Sequence, residues 1–262
     1  MTELLPMLLV AGGAFLAGAM NAMAGGGTFF SFPALLAAGV PPVTANASNT
    51  VALWPASLSS AWAYRQELAR HKTWVIGLTV VSFFGGIGGG LLLLATSNDA
   101  FAKMIPWLLL IATALFAFSN QVGSLVKRIK GCLGQQTEKS TPGGFGGLLF
   151  QFIVAVYGGF FGAGQGILTL AALSIQGITN VQELNGLKNW IAAVTYSVSA
   201  LTFIIAGAIS WPHTLVMLLT ATLGGYAGAL LAKRLPGLWL KRLVIAVGAG
   251  LTLIYFYKSH VS

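Results

Sequence analysis

The fold is decided by the stretch of residues 24–49, which reads AGGGTFFSFPALLAAGVPPVTANASN. Three successive glycines interrupt an apolar run there. The apolar arm that follows, Phe29–Val40, has 12 residues, or about 18 Å of helix at about 1.5 Å per residue. The hydrocarbon core of a bilayer is about 30 Å thick, so this arm is too short to cross it. The turn at Gly25, Gly26 and Gly27 is therefore predicted to lie inside a membrane, at the tip of a broken helical hairpin.

The chain as a whole has the composition of an integral membrane protein. It contains 262 residues, of which 56% are hydrophobic and 7% charged, whereas soluble domains carry roughly 25% charged residues. The net charge of +9 does not indicate a nucleic-acid partner, because so few charges are spread over so apolar a chain. A single cysteine excludes an intrachain disulfide framework, and the three histidines lack the spacing of metal ligands. We expect no metal and no cofactor.

Eight apolar runs are predicted to cross the membrane as helices. They are Leu4–Ala24, Val43–Tyr64, Trp74–Thr96, Phe101–Val126, Phe145–Phe161, Val181–Ala206, Thr214–Ala232 and Leu243–Tyr257. Two shorter runs, Phe29–Val40 and Ile167–Gln176, cannot cross unaided. The predicted fold class is an all-α polytopic membrane protein, with one membrane domain over residues 1–262.

The positions of the basic residues predict the topology. Most of them fall into three clusters, at residues 65–72, 127–139 and 233–242. The positive-inside rule places all three clusters in the cytoplasm. Counting the crossings between them then places Pro41, Pro42 and the Ser97–Lys103 turn outside, and the Gly177–Asn180 segment inside. Both termini are predicted to be extracytoplasmic, and Cys132 cytoplasmic.

The two halves of the chain align without a gap when one is shifted by 139 positions. The matched pairs include Gly25 with Gly164, Gly27 with Gly166, and Asn46 with Asn185. A Gly-Gly-x-x-Gly group also recurs at residues 85 and 224, where it predicts close helix packing. Each half reads as a glycine-broken hairpin followed by three helices, an odd number of net crossings. We therefore predict two inverted-topology repeats, residues 1–126 and 144–262, joined by a basic cytoplasmic linker over residues 127–143.

Broken segments at matching positions of two halves are the best sequence indication of a transporter's binding site. The predicted site combines both turns with the polar residues near the start of the following long helix. Its residues are Gly25, Gly26, Gly27, Asn46, Ser48, Asn49, Gly164, Gln165, Gly166, Asn185, Lys188 and Asn189. Helix starts attract anions, and amides and hydroxyls add neutral donors. For Asn46 and Asn185 the alternative is helix capping and interhelical hydrogen bonding.

Lys188 is the only basic residue well inside an apolar stretch. A lysine at the bilayer centre costs roughly 3 kcal/mol on insertion scales, so such residues usually mark a functional path. A positive charge beside amide donors favours a small anion as the solute. The alternative is that Lys188 extends to the inner membrane surface and pairs with Glu183.

The sequence does not predict an enzyme. It contains no H-E-x-x-H or G-x-S-x-G motif, and no aspartate lies inside a predicted span. Two other non-enzymatic functions stay open beside transport. An anion channel would use the same site but would conduct without saturating at low concentration. A non-transporting membrane scaffold would not need Lys188.

The first glycine turn and the residues after it resemble the sulfite exporter TauE/SafE family. The resemblance rests on Gly25–Gly27, on Phe32-Pro33-Ala34-Leu35-Leu36, on Gly39 and on the Ala45–Asn49 helix start. The second glycine turn and Asn185–Asn189 resemble the repeated half, with Gln165 in place of the middle glycine and Ala172 in place of Pro33. The resemblance implies a multi-pass permease of the bacterial inner membrane that moves sulfite, sulfonates or related small anions by alternating access. Its expected partners are a small anionic solute and the lipid bilayer, and assembly into a homo-oligomer is left open.

Overall fold

The computed structural model describes residues 4–23, 26–118, 145–176, 178, 180–232 and 237–261. Within these ranges the chain forms eleven α-helices. They are α1 (Leu4–Met23), α2 (Thr28–Ala37), α3 (Pro42–Ala63), α4 (Arg65–Ala69), α5 (Lys72–Ala95), α6 (Asn98–Ala117), α7 (Phe145–Phe160), α8 (Gln165–Ile175), α9 (Val181–Ile205), α10 (Trp211–Ala232) and α11 (Gly237–Val261). The predicted all-α class is confirmed for these residues. Gly25 and the predicted linker at 127–143, with Cys132, lie outside them.

The helices are long and expose apolar side chains on their outer surface. Among the described residues, α1, α5 and α6 contain segments long and apolar enough to cross a bilayer, at Leu4–Asn21, Trp74–Ala95 and Asn98–Ala117. The helices α3, α9, α10 and α11 have 22 to 25 residues each. Large apolar side chains such as Trp62 and Ile205 are exposed on the surface. An exterior this apolar belongs against lipid tails, so the chain is a multi-pass membrane protein.

Each half contains a helical hairpin that is broken at glycines, as the sequence predicted. Gly26 (φ 83°) precedes α2, and Gly162 and Gly164 (φ 80° and 79°) precede α8. Glycine adopts this left-handed conformation without a steric penalty. The helices α2 and α8 have 10 and 11 residues, too few to cross a bilayer alone. The second break lies slightly earlier than expected, because α8 begins at Gln165 and already includes Gly166.

Glycines let helices of the two halves approach at backbone distance. The helix α1 packs along α10, and α5 packs along α7. A Cβ atom on Gly18 would lie 1.9 Å from the carbonyl oxygen of Ala221, and one on Gly224 would lie 1.9 Å from that of Phe15. A Cβ atom on Gly89 would lie 2.1 Å from a carbonyl oxygen of α7. The close packing predicted from the Gly-Gly-x-x-Gly groups is therefore present at Gly89 and Gly224.

Polar contacts between helices group the helix ends into two sets. In the first set, the Val43 N–H donates to Asn98 Oδ1 over 3.0 Å, and the Ser210 N–H donates to Ser48 Oγ of α3 over 3.0 Å. In the second set, His71 Nε2 lies 2.9 Å from Glu183 Oε2. The starts of α3, α6 and α10 thus lie together, and the start of α9 lies beside the turn between α4 and α5.

Candidate transport cavity

A cavity of about 760 Å³ lies between the two halves of the chain. Its walls come mainly from α3, α8, α9 and α10, and both hairpin tips reach it. Its polar lining residues are Asn21, Thr28, Ser57, Ser59, Gln165, Lys188, Asn189, Tyr196, Thr222 and Tyr226. The predicted site residues that it brings together are Gly26, Gly164, Gln165, Gly166, Lys188 and Asn189. One cavity thus joins residues from both glycine turns with the lysine of α9.

Lys188 is the one charged residue among the residues described as lining the cavity. No carboxylate of the described residues lies within ion-pair distance of its ammonium group. Glu183, the alternative partner, pairs instead with His71. The stem of Lys188 runs past the first turn of α8, where a Cβ atom on Gly166 would lie 3.4 Å from Lys188 Cδ. A small residue at position 166 therefore leaves room for the lysine to reach the cavity.

Gln165 places a neutral amide at the second hairpin tip. Its Nε2 atom donates to Thr195 Oγ1 over 3.2 Å, and its Oε1 atom is buried without a hydrogen-bond partner among the described residues. The amide lies over Gly158, where a Cβ atom would come within 2.3 Å of Gln165 Cδ. The glutamine that departs from the glycine pattern is thus accommodated by a glycine in α7.

Side chains from the first helix of each hairpin hold the two tips. The Gly27 N–H donates to Asn21 Oδ1 over 2.9 Å, and the Tyr157 hydroxyl donates to the Ala163 carbonyl oxygen over 2.6 Å. The irregular backbone at each tip therefore has a polar partner within the protein. Such partners are what allows irregular backbone at membrane depth.

The other predicted site residues do not line the cavity: Gly27, Asn46, Ser48, Asn49 and Asn185. Asn46 Nδ2 donates to the Phe160 carbonyl oxygen over 2.8 Å, which ties α3 to the second hairpin. Asn49 hydrogen bonds to two hydroxyl side chains of α2. These are interhelical hydrogen bonds of the kind left open as the alternative for Asn46. The part of α3 that lines the cavity begins one turn later, at Leu53, and Gly25 lies outside the described residues.

Tyr196 is a cavity residue that the sequence reasoning missed. It lies on α9, and its side chain hydrogen bonds to that of Thr28 at the start of α2. Asn189, Ala192 and Tyr196 all line the cavity, and their spacing of three and four residues places them on one helix face. Extending the face of Asn189 by two turns would have found Tyr196.

Residues 10–255 match the family described as Sulfite exporter TauE/SafE. A "Probable membrane transporter protein" of Haemophilus influenzae is 28% identical over 87% of this chain and 84% of its own length. The "Probable membrane transporter protein YfcA" of Escherichia coli is 26% identical over 94% of this chain and 88% of its own. The "Probable membrane transporter protein ORF9" of a Sinorhizobium species is 26% identical over 96% and 92%. No solved structure matches the chain significantly.

Proposed function

The chain belongs to the sulfite exporter TauE/SafE family of membrane transporters, and we propose that it is a secondary exporter of a small anion. The proposed substrate is sulfite, an organosulfonate or a related sulfur oxyanion. Transport takes place across the bacterial inner membrane by alternating access. The function is transport, not enzymatic catalysis, as the family and the transporters similar to this chain indicate.

The observation that carries the proposal is the position of Lys188 in the cavity wall. An anion that leaves water for a site of low dielectric needs a charged partner to offset its lost hydration. Lys188 supplies that charge, and Asn189 is its neighbour on α9 in the wall. Thr28 and Ser57 add hydroxyl groups from the other half of the chain.

The size and character of the cavity favour an organic anion within this class. A cavity of about 760 Å³ lies in the range of roughly 300–1,000 Å³ that holds ligands much larger than a bare oxyanion. Its wall also contains apolar groups, including Leu53, Phe116, Ile167 and Leu170. A sulfonate head would face Lys188 while a short carbon chain contacts this apolar wall.

The helix contacts support the proposal of two inverted repeats. Under the shift of 139 positions, α1 corresponds to α7 and α5 corresponds to α10. The contact of α1 with α10 and the contact of α7 with α5 are therefore the same contact with the halves exchanged. Equivalent pairs of this kind are expected for repeats related by a pseudo-two-fold axis.

The two sets of helix ends support the proposed topology. Val43 and Asn98, which are hydrogen bonded, belong to segments that the positive-inside rule places outside. His71 and Glu183, whose side chains lie 2.9 Å apart, lie at segments that the same rule places inside. In this proposal both termini are extracytoplasmic. The cavity then opens towards the cytoplasm, because its α3 residues lie in the half of α3 that ends at Ala63.

A counterflow measurement tests the proposal. Purified protein is reconstituted into vesicles loaded with unlabelled sulfite or ethanesulfonate, and uptake of labelled sulfite or ethanesulfonate from outside is followed. A secondary transporter accelerates this exchange, and the exchange saturates with external substrate. Flux of both anions that never saturates and is not accelerated by internal anion would support the channel instead. Absence of exchange and of flux would contradict the proposal.

A further inference from the structure

Four buried phenylalanines pack on one another where the end of α7 meets α2 and the start of α6. They are Phe32 of α2, Phe101 of α6, and Phe160 and Phe161 at the end of α7, and we call them the aromatic seal. We propose that the aromatic seal is the extracytoplasmic gate of the transport path, closed in this structure. The proposal rests on the transport function proposed above and identifies residues that control access to its site.

The seal is packed by ring edges against ring faces. The ring centroids lie 6.3 Å apart for Phe32 and Phe101, 5.6 Å for Phe32 and Phe161, and 5.5 Å for Phe101 and Phe160. All four side chains are buried, with exposures of 0% to 6%. Phe32 and Phe101 belong to one half of the chain and the other two to the second half. A movement of the halves relative to each other would therefore part Phe32 from Phe161 and Phe101 from Phe160, and would break the hydrogen bond from Asn46 to the Phe160 carbonyl oxygen.

The position of the seal follows from its neighbours on each side. Phe161 directly precedes Gly162, which lines the cavity. Phe101 lies in the first turn of α6, three residues after Asn98, whose side chain accepts from the Val43 N–H. The backbone of Phe160 is held from α3 by Asn46. An anion moving from the cavity towards Asn98 therefore meets the aromatic seal.

The aromatic seal is not repeated at the positions of the sequence that correspond to it in the other half. The shift of 139 positions that relates the halves matches the four phenylalanines with Ala171, Leu240, Asn21 and Ala22, in that order. None of these residues is aromatic, and Asn21 lines the cavity. The lining residues Ser59 and Thr222 are exposed, which places the mouth of the cavity between the last turns of α3 and the middle of α10. The seal lies beside the start of α6, whereas the mouth lies towards the end of α3.

Cysteine accessibility tests the gate without any substrate. Three single-cysteine variants are made in a Cys132→Ser background. The cysteine of Ser57→Cys reports whether the reagent reaches the cavity. Ala100→Cys reacts from the membrane side on which the aromatic seal lies, and Gln66→Cys reacts from the opposite side. Vesicles are prepared in which the protein is inserted in one orientation or the other, and a thiol reagent that does not cross the membrane is added outside. We expect Ser57→Cys to react only from the side of Gln66→Cys. Adding Phe101→Ala or Phe160→Ala should raise its reaction from the side of Ala100→Cys several-fold.

The controls separate gating from misfolding and from a wrong substrate. Phe84→Ala removes an exposed ring and should leave both labelling rates unchanged, whereas Phe101→Leu keeps most of the apolar volume and should have a smaller effect than Phe101→Ala. Unchanged labelling from the Gln66 side shows that a variant is folded. Unchanged labelling from the Ala100 side in such folded variants would overturn the gate. Loss of counterflow with an intact labelling pattern would instead overturn only the proposed substrates.

Discussion

Lys188 crosses directly over Gly166: a Cβ atom on Gly166 would lie 3.4 Å from Lys188 Cδ and 3.8 Å from Cγ. The lysine of α9 therefore reaches the cavity across the first turn of α8. This contact links the glycine-rich second hairpin to the charge in the cavity. It also explains why the position after Gln165 is occupied by a small residue.

Gly166 should tolerate one methyl group but no larger side chain. Gly166→Ala adds an atom at ordinary van der Waals distance from the lysine stem and should retain most transport. Gly166→Leu would displace the stem from its path and should reduce anion transport at least tenfold. Initial rates in reconstituted vesicles measure both. Gly12→Leu is the matched control, because no atom lies within 4 Å of a Cβ at Gly12. Equal rates for the two Gly166 variants would mean that the lysine does not need this path.

Gly18 should be needed for the stability of the packing between α1 and α10. A Cβ atom there would overlap the Ala221 carbonyl oxygen at 1.9 Å, so Gly18→Ala must push the two helices apart. Overpacking of this kind typically costs about 1–3 kcal/mol. Thermal unfolding in detergent should show a lower Tm for Gly18→Ala. Gly12→Ala, on the open face of the same helix, should keep or raise the Tm because alanine favours helix. A Tm for Gly18→Ala at or above that of the parent protein would contradict this packing.

Gly26 should be required for transport not only because of its backbone conformation but also because there is no space for a side chain. Its φ is 83°, and a Cβ atom there would lie 2.8 Å from Phe116 Cζ. Gly26→Leu combines the strain of a left-handed residue, about 1–2 kcal/mol, with a clash at the hairpin tip, and should abolish transport while the protein still inserts. Gly39 has nearly the same φ, 82°, with no atom within 4 Å. Gly39→Leu carries the strain alone and should transport; equal loss in both variants would indicate that strain is the whole effect.

Glu183 should contribute little to anion transport. It pairs with His71 over 2.9 Å, and both side chains are partly exposed. An exposed ion pair is typically worth about 0–1 kcal/mol, so Glu183→Gln should lower the unfolding free energy by less than about 1 kcal/mol. Because Glu183 does not neutralise Lys188, the variant should transport the anion at close to the parent rate. A several-fold change in apparent affinity for the anion would show that the two residues interact.

The broken hairpins could be predicted because glycines and short apolar arms are local features. The 12 residues of Phe29–Val40 cannot cross a bilayer, whatever surrounds them. Lys188 was equally visible, since an isolated charge in an apolar run has few structural explanations. Local signals of this kind predict Gly26, Gly164, Gln165, Gly166 and Lys188 as site residues, and all five line one cavity.

The remaining part of the site depends on how helices rotate against each other, which a local pattern does not give. Asn46 and Asn49 were assigned to the site from their position after the first hairpin. In the structure their side chains bind Phe160 and α2 instead, and α3 faces the cavity only from Leu53 onwards. The aromatic seal could not be predicted from the sequence for the same reason, because its rings come from three separate helices.

The proposed transport function depends above all on Lys188 as the group that holds the anion. Hydrogen bonds to charged groups contribute about 1.5–3 kcal/mol, so Lys188→Ala should weaken apparent affinity for sulfite or ethanesulfonate by roughly 10- to 100-fold. Lys188→Arg retains the charge with a different geometry and should keep part of the affinity. Lys103→Ala, at an exposed position of α6, is the control and should behave as the parent. The decisive measurement is the concentration dependence of anion counterflow in reconstituted vesicles for these four proteins. We expect the parent protein and Lys103→Ala to have the highest apparent affinity, Lys188→Arg an intermediate one and Lys188→Ala the lowest. If Lys188→Ala saturates at the same anion concentration as the parent and transports at the same rate, Lys188 does not hold the anion.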